Sequence, residues 1–250
     1  MPREWDAKTY DSLPLPHQQW GKRTLGRLSL TGTETVLDAG CGTGRDTAAL
    51  LDLVPGGRVI GVDGSRRMLE QLRTKLADRL DRLDVIEADL TKPLELGGPV
   101  DAISSVATFH WITDHAALFA NLAASLRTGG QFVAECGGAG NVARINAAVE
   151  EVLGSAPDEG EKVWYFAGVE ETAARLRAAG FTDVEVSLLP DPARLDAGDQ
   201  LCSYLATVVL GSHLDRLPES DHEDFVRAVA ARLPEPVVDY VRLNITARRA

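Results

Sequence analysis

The sequence predicts an α/β fold, a doubly wound and mostly parallel seven-stranded sheet with helical insertions. Three observations predict it. Between residues 35 and 135 short apolar, β-branched runs alternate with longer stretches of helical period. The first of those runs ends in a cluster of glycines, Gly40, Gly42 and Gly44. The chain has 250 residues, 44% hydrophobic and 25% charged, which suits one large domain burying roughly 70–75% of its unfolded surface and excludes disordered and fibrous classes.

The elements follow in order. Thr35–Ala39 is a buried strand, and a helix from Asp46 to Leu53 is ended by Pro55-Gly56-Gly57. Arg58–Asp63 is the second strand. Ser65 caps a helix from about Arg66 to Leu80, with Met68, Leu69, Leu72, Leu76 and Leu80 at helical spacing. Asp84–Glu87 and Val100–Val106 are strands. A helix over Ala116–Leu126 stops at Gly129-Gly130, before a strand at Gln131–Glu135. This alternation requires right-handed crossovers between parallel strands. After Gly137-Gly138 come a helix near Asn141–Leu153, an acidic loop at Pro157–Lys162, and Trp164-Tyr165-Phe166. A helix at Val169–Ala179 ends at Gly180, Thr182–Leu189 is a strand, 190–236 is mostly helical, and Val241–Ala247 is the last strand. We read 1–250 as one domain: an N-terminal covering segment at 1–33, a core at 34–136, and insertions at 137–168 and 190–236, too short for cores of their own, that form a lid.

Charge narrows the partners. Lys and Arg number 26 against 37 Asp and Glu, a net charge of −11. Such a surface repels phosphate backbones, so nucleic acid is not the expected partner, whereas a local cation can still bind a small anion. No apolar run is long enough for a membrane helix, and charges occupy the start where a signal peptide needs an apolar core, so a soluble cytoplasmic protein is expected. Cys41, Cys136 and Cys202 form neither a disulfide framework nor a metal-ligand pattern.

The glycine loop carries the strongest signal. A dinucleotide fingerprint starting at Gly40 and Gly42 needs its third glycine at position 45, where Arg45 would crowd the helix–strand contact. The third glycine instead falls at Gly44, which favours a nucleoside with a short polar tail and disfavours a nicotinamide oxidoreductase. Asp63 ends the second strand, placed to accept hydrogen bonds from ribose hydroxyls; it is otherwise a strand-end or capping aspartate. Asp89 follows the third strand, placed to accept an adenine amino group; it is otherwise a turn residue. All three features fall at the carboxyl ends of strands, where open α/β sheets bind ligands.

The segments VLDAGCGTG, GVDGS, EADL and VATFHW resemble the class I S-adenosylmethionine-dependent methyltransferases, a Rossmann-like fold, over residues 34–136. The resemblance implies strand order 3-2-1-4-5-7-6 with the last strand antiparallel. It implies that Gly40, Gly42 and Gly44 line the methionine and ribose side, that Asp63 holds the ribose and Asp89 the adenine, and that Met68 packs on the adenine or sits in the core. It adds Tyr10, Trp20, Asp38, Cys41, Gly64, Ala88, Leu90 and Val106 to the cofactor set.

A methyl donor of this kind needs an aligned acceptor, with no metal and no covalent enzyme intermediate. His110 and Trp111 follow the fourth strand: the histidine can donate to an acceptor oxygen, act as base, or cap the next helix, and the tryptophan can wall the site or pack. His115 is expected on the helix surface. In the N-terminal segment, Trp5, Tyr10, His17, Gln18, Gln19 and Trp20 can cross the cofactor or pack a helix onto the sheet. Together with the HW pair this segment is similar to the trans-aconitate and juvenile hormone acid methyltransferase branch. That resemblance implies carboxylate methylation with His110, Trp111 and Gln18 near the acceptor, the last position falling alternatively on His17. Arg144, Asn146, Lys162, Trp164 and Tyr165 stand in the first insertion, with Arg144 either clamping an anionic acceptor or solvated. The expected partner is a small-molecule methyl acceptor, the expected state a monomer or weak homodimer. A hydroxyl or carbon acceptor, and a non-catalytic cofactor-binding module, are the alternatives.

Overall fold

A computed structural model describes residues 17–154 and 164–250. Trp5, Tyr10 and the Pro157–Lys162 loop lie outside the described residues.

Helix α1, His17–Leu25, precedes strand β1, Thr35–Ala39. Then come α2 (Arg45–Leu53), β2 (Arg58–Asp63), α3 (Arg66–Lys75), β3 (Leu83–Glu87), β4 (Val100–Val106), α4 (His115–Ser125) and β5 (Leu126–Gly137). The second half holds α5 (Ala143–Leu153), α6 (Val169–Ala178), β6 (Phe181–Pro190), β7 (Ala193–Arg194), α7 (Asp199–Tyr204), α8 (Gly211–Leu214), α9 (His222–Arg232), β8 (Val237–Val238) and β9 (Val241–Arg249). Seven strands form one sheet in the order β3-β2-β1-β4-β5-β9-β6, and β7 pairs with β8 apart from it. Strands β1 to β5 are mutually parallel and β9 runs antiparallel to both β5 and β6. This is the order expected from the resemblance, with β9 as the seventh strand of the sheet.

Side-chain alternation along β1 explains the two layers. Leu37 joins Ile103, Phe132, Phe119 and Leu122 on the face covered by α4 and α6. Its neighbour Val36 joins Val59, Leu50, Leu51, Leu69 and Leu72 on the face covered by α2 and α3. A third cluster joins Trp20 of α1 to Ile145, Tyr204, Val209, Phe225 and Tyr240, so the two insertions share one core with the N-terminal helix. Burying each such aliphatic or aromatic side chain contributes about 1.5–3 kcal/mol.

Two boundaries differ most from the sequence reading. The third helix stops at Lys75, followed by a 3-10 turn at Ala77–Arg79, because Leu80 is exposed rather than part of the apolar stripe. Strand β5 begins at Leu126, inside the expected helix, and contains the expected stop at Gly129-Gly130. The register jumps there: Val100 faces Leu126 while Ala102 faces Gln131. Gly129, at φ +74°, supplies the left-handed step of this bulge. No helix among the described residues is long and apolar enough to cross a membrane.

Candidate active site

Parallel strands deliver all their carboxyl ends to one edge of the sheet. A cavity of about 610 Å³ lies there, within the size range of small-molecule sites. The tips of β1, β2 and β4, the turn after β3, and the start of β9 with the preceding Tyr240 contribute to its wall.

The three glycines divide their work. Gly40 and Cys41 donate their N–H groups to Val62 O at 2.7 and 3.1 Å, folding the loop back onto β2. A Cβ at Gly40, where φ is +86°, would collide with the Thr108 side chain. At Gly42, with φ +52°, a Cβ would meet no atom within 4 Å, so this residue presents bare backbone to the cavity. Gly44 does not line the cavity. Its missing Cβ would come 2.8 Å from Leu72 Cγ of α3, so it performs the close-packing duty that the sequence reading assigned to a glycine at position 45.

Beside the loop, Asp63 accepts the Gly42 N–H at 2.9 Å through Oδ2 and the Ser65 N–H at 2.8 Å through Oδ1. The residue lines the cavity with Gly64, Met68, Ala88, Leu90 and Val106. Asp89 lines it too; hydrogen bonds from the Thr91 hydroxyl (2.7 Å) and N–H (2.8 Å) hold its carboxyl below the ordinary range. Two expected cofactor residues lie beneath the wall instead. Asp38 is buried and accepts the Thr47 hydroxyl at 2.6 Å. Burial, with Asp46 adding like-charge repulsion, pushes its pKa up to about 7. Cys41 is also buried and packs against Gly61, and burial pushes its thiol well above its usual value.

His110 and Trp111 sit on a 3-10 turn, Phe109–Trp111. Ala107 just before it has φ +57°, a strained value that turns the chain from β4 toward the cavity. His110 is buried, and its Nδ1 accepts the Gly137 N–H at 3.3 Å. A backbone amide only donates, so the ring proton resides on Nε2. Burial, and next the Arg242 charge, hold the His110 pKa well below its ordinary value. Around it, Trp111 lies 5.2 Å and Phe166 6.0 Å away between ring centroids, and Trp164 stacks on Phe166 at 5.6 Å. His115 is buried, not on the surface. Its Nε2 contacts Phe109 O at 3.0 Å and its ring meets Tyr165 edge-on at 4.8 Å, bracing the turn from behind.

The N-terminal expectations separate. Tyr10 is outside the described residues. Gln18 is exposed on α1 and does not line the cavity. Trp20 does line it, but on the β9 side, away from the carboxylates of β2 and β3. Its Nε1 donates to Asp191 Oδ2 at 2.8 Å, and its ring meets Tyr240 edge-on at 5.0 Å. In the first insertion, Trp164 lines the cavity. Arg144 is exposed and neither it nor Asn146 reaches the wall; the Tyr165 hydroxyl is engaged by Glu171 at 2.6 Å and Arg175 at 2.7 Å.

Among the lining residues that escaped the sequence reading are Arg242, Tyr240, Asn141 and Val142. The Arg242 guanidinium lies 3.6 Å over the Trp20 ring and donates from Nε to Glu135 Oε1 at 3.4 Å. Glu135 is fully buried and also accepts from Arg23 and Thr24. Asn141 accepts the Val241 N–H at 2.9 Å, and Val142 adopts φ +49°, costly for a β-branched residue. These residues come from two segments 100 residues apart, and no local pattern joins them. From β2 across β1, β4 and β5 to β9 is four strand spacings, about 19 Å, so the cavity runs from an acidic end to a cationic one.

Comparison with known proteins places this geometry in context. A family model described as "Methyltransferase domain" matches residues 36–130. A trans-aconitate 2-methyltransferase of Azoarcus sp. (strain BH72) is 36% identical over 126 residues, a match spanning 50% of this chain and 48% of that one. A protein of the same name from Acidovorax sp. (strain JS42) is 26% identical over 267 residues, 99% of each chain. Among solved structures, Haemonchus contortus phosphoethanolamine N-methyltransferase 2 in complex with S-adenosyl-L-methionine superposes with a TM-score of 0.63 at 18% identity, covering 92% of this chain and 52% of that one, a likeness of fold.

Proposed function

We propose that this chain, a class I S-adenosylmethionine-dependent methyltransferase, transfers the methyl group to a carboxylate oxygen of a small acid. The residues present fit the methyl donor: an open backbone face at Gly42 stands beside Asp63, a carboxylate on the cavity wall of the kind that accepts from ribose hydroxyls. Asp89 would take the adenine amino group, and Met68, Leu90 and Val106 would pack on the base. Once bound, S-adenosylmethionine supplies an activated methyl group, so the protein must align the acceptor rather than activate it.

One observation carries the choice of acceptor. His110 is the group placed to serve as base, yet its Nδ1 is taken by the Gly137 N–H and its remaining nitrogen carries a proton. It therefore donates one hydrogen bond and removes no proton. Such a site suits a nucleophile that is already anionic at neutral pH, and a carboxylate is one. A single donor engages one carboxylate oxygen and leaves the other to attack. Trp111, Trp164 and Phe166 give the acceptor an apolar wall. The end-to-end likeness to a protein named trans-aconitate 2-methyltransferase supports the same reading.

The test is a screen with methyl-labelled donor against small carboxylic acids, trans-aconitate included, alongside phenols and amines. We expect base-labile methyl esters from acids. Because His110 stays neutral above its lowered pKa, kcat should stay level from pH 6 to 9. His110→Ala should lower kcat roughly 10- to 100-fold, the range of a lost transition-state hydrogen bond, and leave S-adenosylhomocysteine affinity within about threefold. Label appearing only in phenols, at a rate that climbs with pH, would sink the reading.

A further inference from the structure

We infer that Arg242 binds a second carboxylate of the acceptor, one that is not methylated, so that the enzyme selects acids carrying at least two carboxylates. This rests on the carboxylate-acceptor reading and deepens it.

Arg242 is the only Arg or Lys among the described residues that line the cavity. It is 1% exposed, so no bulk water solvates its charge. Its Nη2 is buried and has no hydrogen-bond partner, and its single contact to Glu135 is long, at 3.4 Å. Glu135 is mostly spent elsewhere: Arg23 grips both of its oxygens at 2.8 and 3.2 Å, and Thr24 adds a third donor. Three guanidiniums, of Arg23, Arg27 and Arg242, share the charge of Glu135 with the nearby carboxylates of Asp191 and Asp46. A buried donor left unsatisfied is costly, and a guanidinium fork is matched best by a carboxylate. Stacking over Trp20 at 3.6 Å fixes the plane of the fork in advance.

Position says which carboxylate this is. Arg242 faces Gly137 across the β5–β9 ladder, and the N–H of Gly137 is the group that orients His110. The cation and the His110 donor are thus neighbours through one backbone residue. A fork closed on the reacting carboxylate would occupy both of its oxygens and blunt the nucleophile. His110 leaves one oxygen available, so the reacting group belongs to His110 and the fork belongs to a distal carboxylate. Asn141, beside the start of β9, adds an amide to the same wall.

The experiment compares KM for succinate, glutarate, adipate and trans-aconitate with KM for the half-amides of the three diacids, in the wild-type enzyme, Arg242→Gln and Arg242→Lys. In the wild type the best diacid should have a KM at least 20-fold below that of its half-amide. Arg242→Gln should erase that preference by raising the diacid KM at least 20-fold, with kcat within fivefold and S-adenosylhomocysteine dissociation constant within threefold. Arg242→Lys keeps the charge but loses the fork, and its diacid KM should rise about fivefold. A merely structural arginine would not alter the ratio of diacid to half-amide. If Arg242→Gln folds and keeps the preference, the clamp is overturned while carboxylate methylation stands. Should that variant fail to bind S-adenosylhomocysteine, an unchanged diacid KM in Arg242→Lys overturns the clamp equally. Wild-type enzyme that methylates only phenols or amines overturns both readings together.

Discussion

The two ends of the cavity are built by different means. At the acidic end, Gly40, Gly42, Asp63 and Asp89 lie within 50 residues of one another, each at the tip of a strand or the turn just beyond it. Their positions follow from local backbone: positive φ at the glycines, and short side-chain-to-backbone hydrogen bonds that close each turn. At the cationic end, Trp20, Glu135 and Arg242 meet from across the whole chain, held by ion pairs, ring stacking and a shared core. A local device can be rewritten one residue at a time. A long-range one stands or falls with the packing around it.

The sharpest way to break that contrast is to separate ligand effects from folding effects within the glycine loop. Gly40→Ala places a methyl group against Thr108 at a left-handed φ, and should cost about 2–4 kcal/mol of stability and at least 100-fold in S-adenosylhomocysteine affinity. Gly44→Ala meets Leu72 and should cost similar stability while changing affinity little. Gly42→Ala should cost only about 1–2 kcal/mol from its φ, yet weaken binding at least 30-fold, because its methyl group enters the ligand's space. Thermal melts and calorimetric titration measure both quantities. Equal affinity for wild type and Gly42→Ala would show that no ligand lies against the loop.

A smaller effect is expected at Asp63. Asp63→Ala removes the acceptor for Gly42 and for the ribose together, and should weaken S-adenosylhomocysteine by about 1.5–3 kcal/mol, the scale of a hydrogen bond to a charged group. Asp63→Asn keeps one acceptor oxygen and should fall between. Titration of the two variants decides; an unchanged dissociation constant would remove Asp63 from the ligand site.

The same contrast explains what could be read from the sequence. The parallel core was legible because apolar periodicity and glycine spacing are local, whereas the strand order was implied by the family resemblance. Gly42, Asp63 and Asp89 were legible because strand ends in this architecture converge. Asp38 and Cys41 belong to the same motif but face inward, a difference that depends on which side of β1 and the loop each side chain takes. Glycines mark both loops and bulges, so Gly129-Gly130 pointed to a helix stop while serving inside β5. Arg242 was invisible: an arginine in an alternating strand is ordinarily solvated, and only the closure of α1 and the insertions over β9 buries it. His115 was missed for the same reason, since Tyr165, 50 residues on, is what covers it.

The smallest expected effect tests whether the acidic end carries a latent cost. Asp38 has a folded pKa near 7, above the unfolded value of 3.8, so its ionised form opposes folding. The penalty is complete above pH 7, declines as the pH falls through the folded pKa, and vanishes below the unfolded one. Asp38→Asn keeps an oxygen for the Thr47 hydroxyl and removes the charge. Relative to wild type it should gain about 2 kcal/mol more at pH 8 than at pH 5, from the displaced titration. Buried histidines with lowered pKa values, His110 and His115 among them, titrate alike in both proteins and cancel in the difference. Asp46, raised to about 6 chiefly by its own burial, enters both proteins as well. Its repulsion with Asp38, like that from Asp63, is already part of the raised Asp38 pKa, so its loss in the variant leaves the sign of the gap unchanged. Urea unfolding at the two pH values measures the gap, and a difference that shrinks as pH rises would mean that Asp38 is stabilised as an anion.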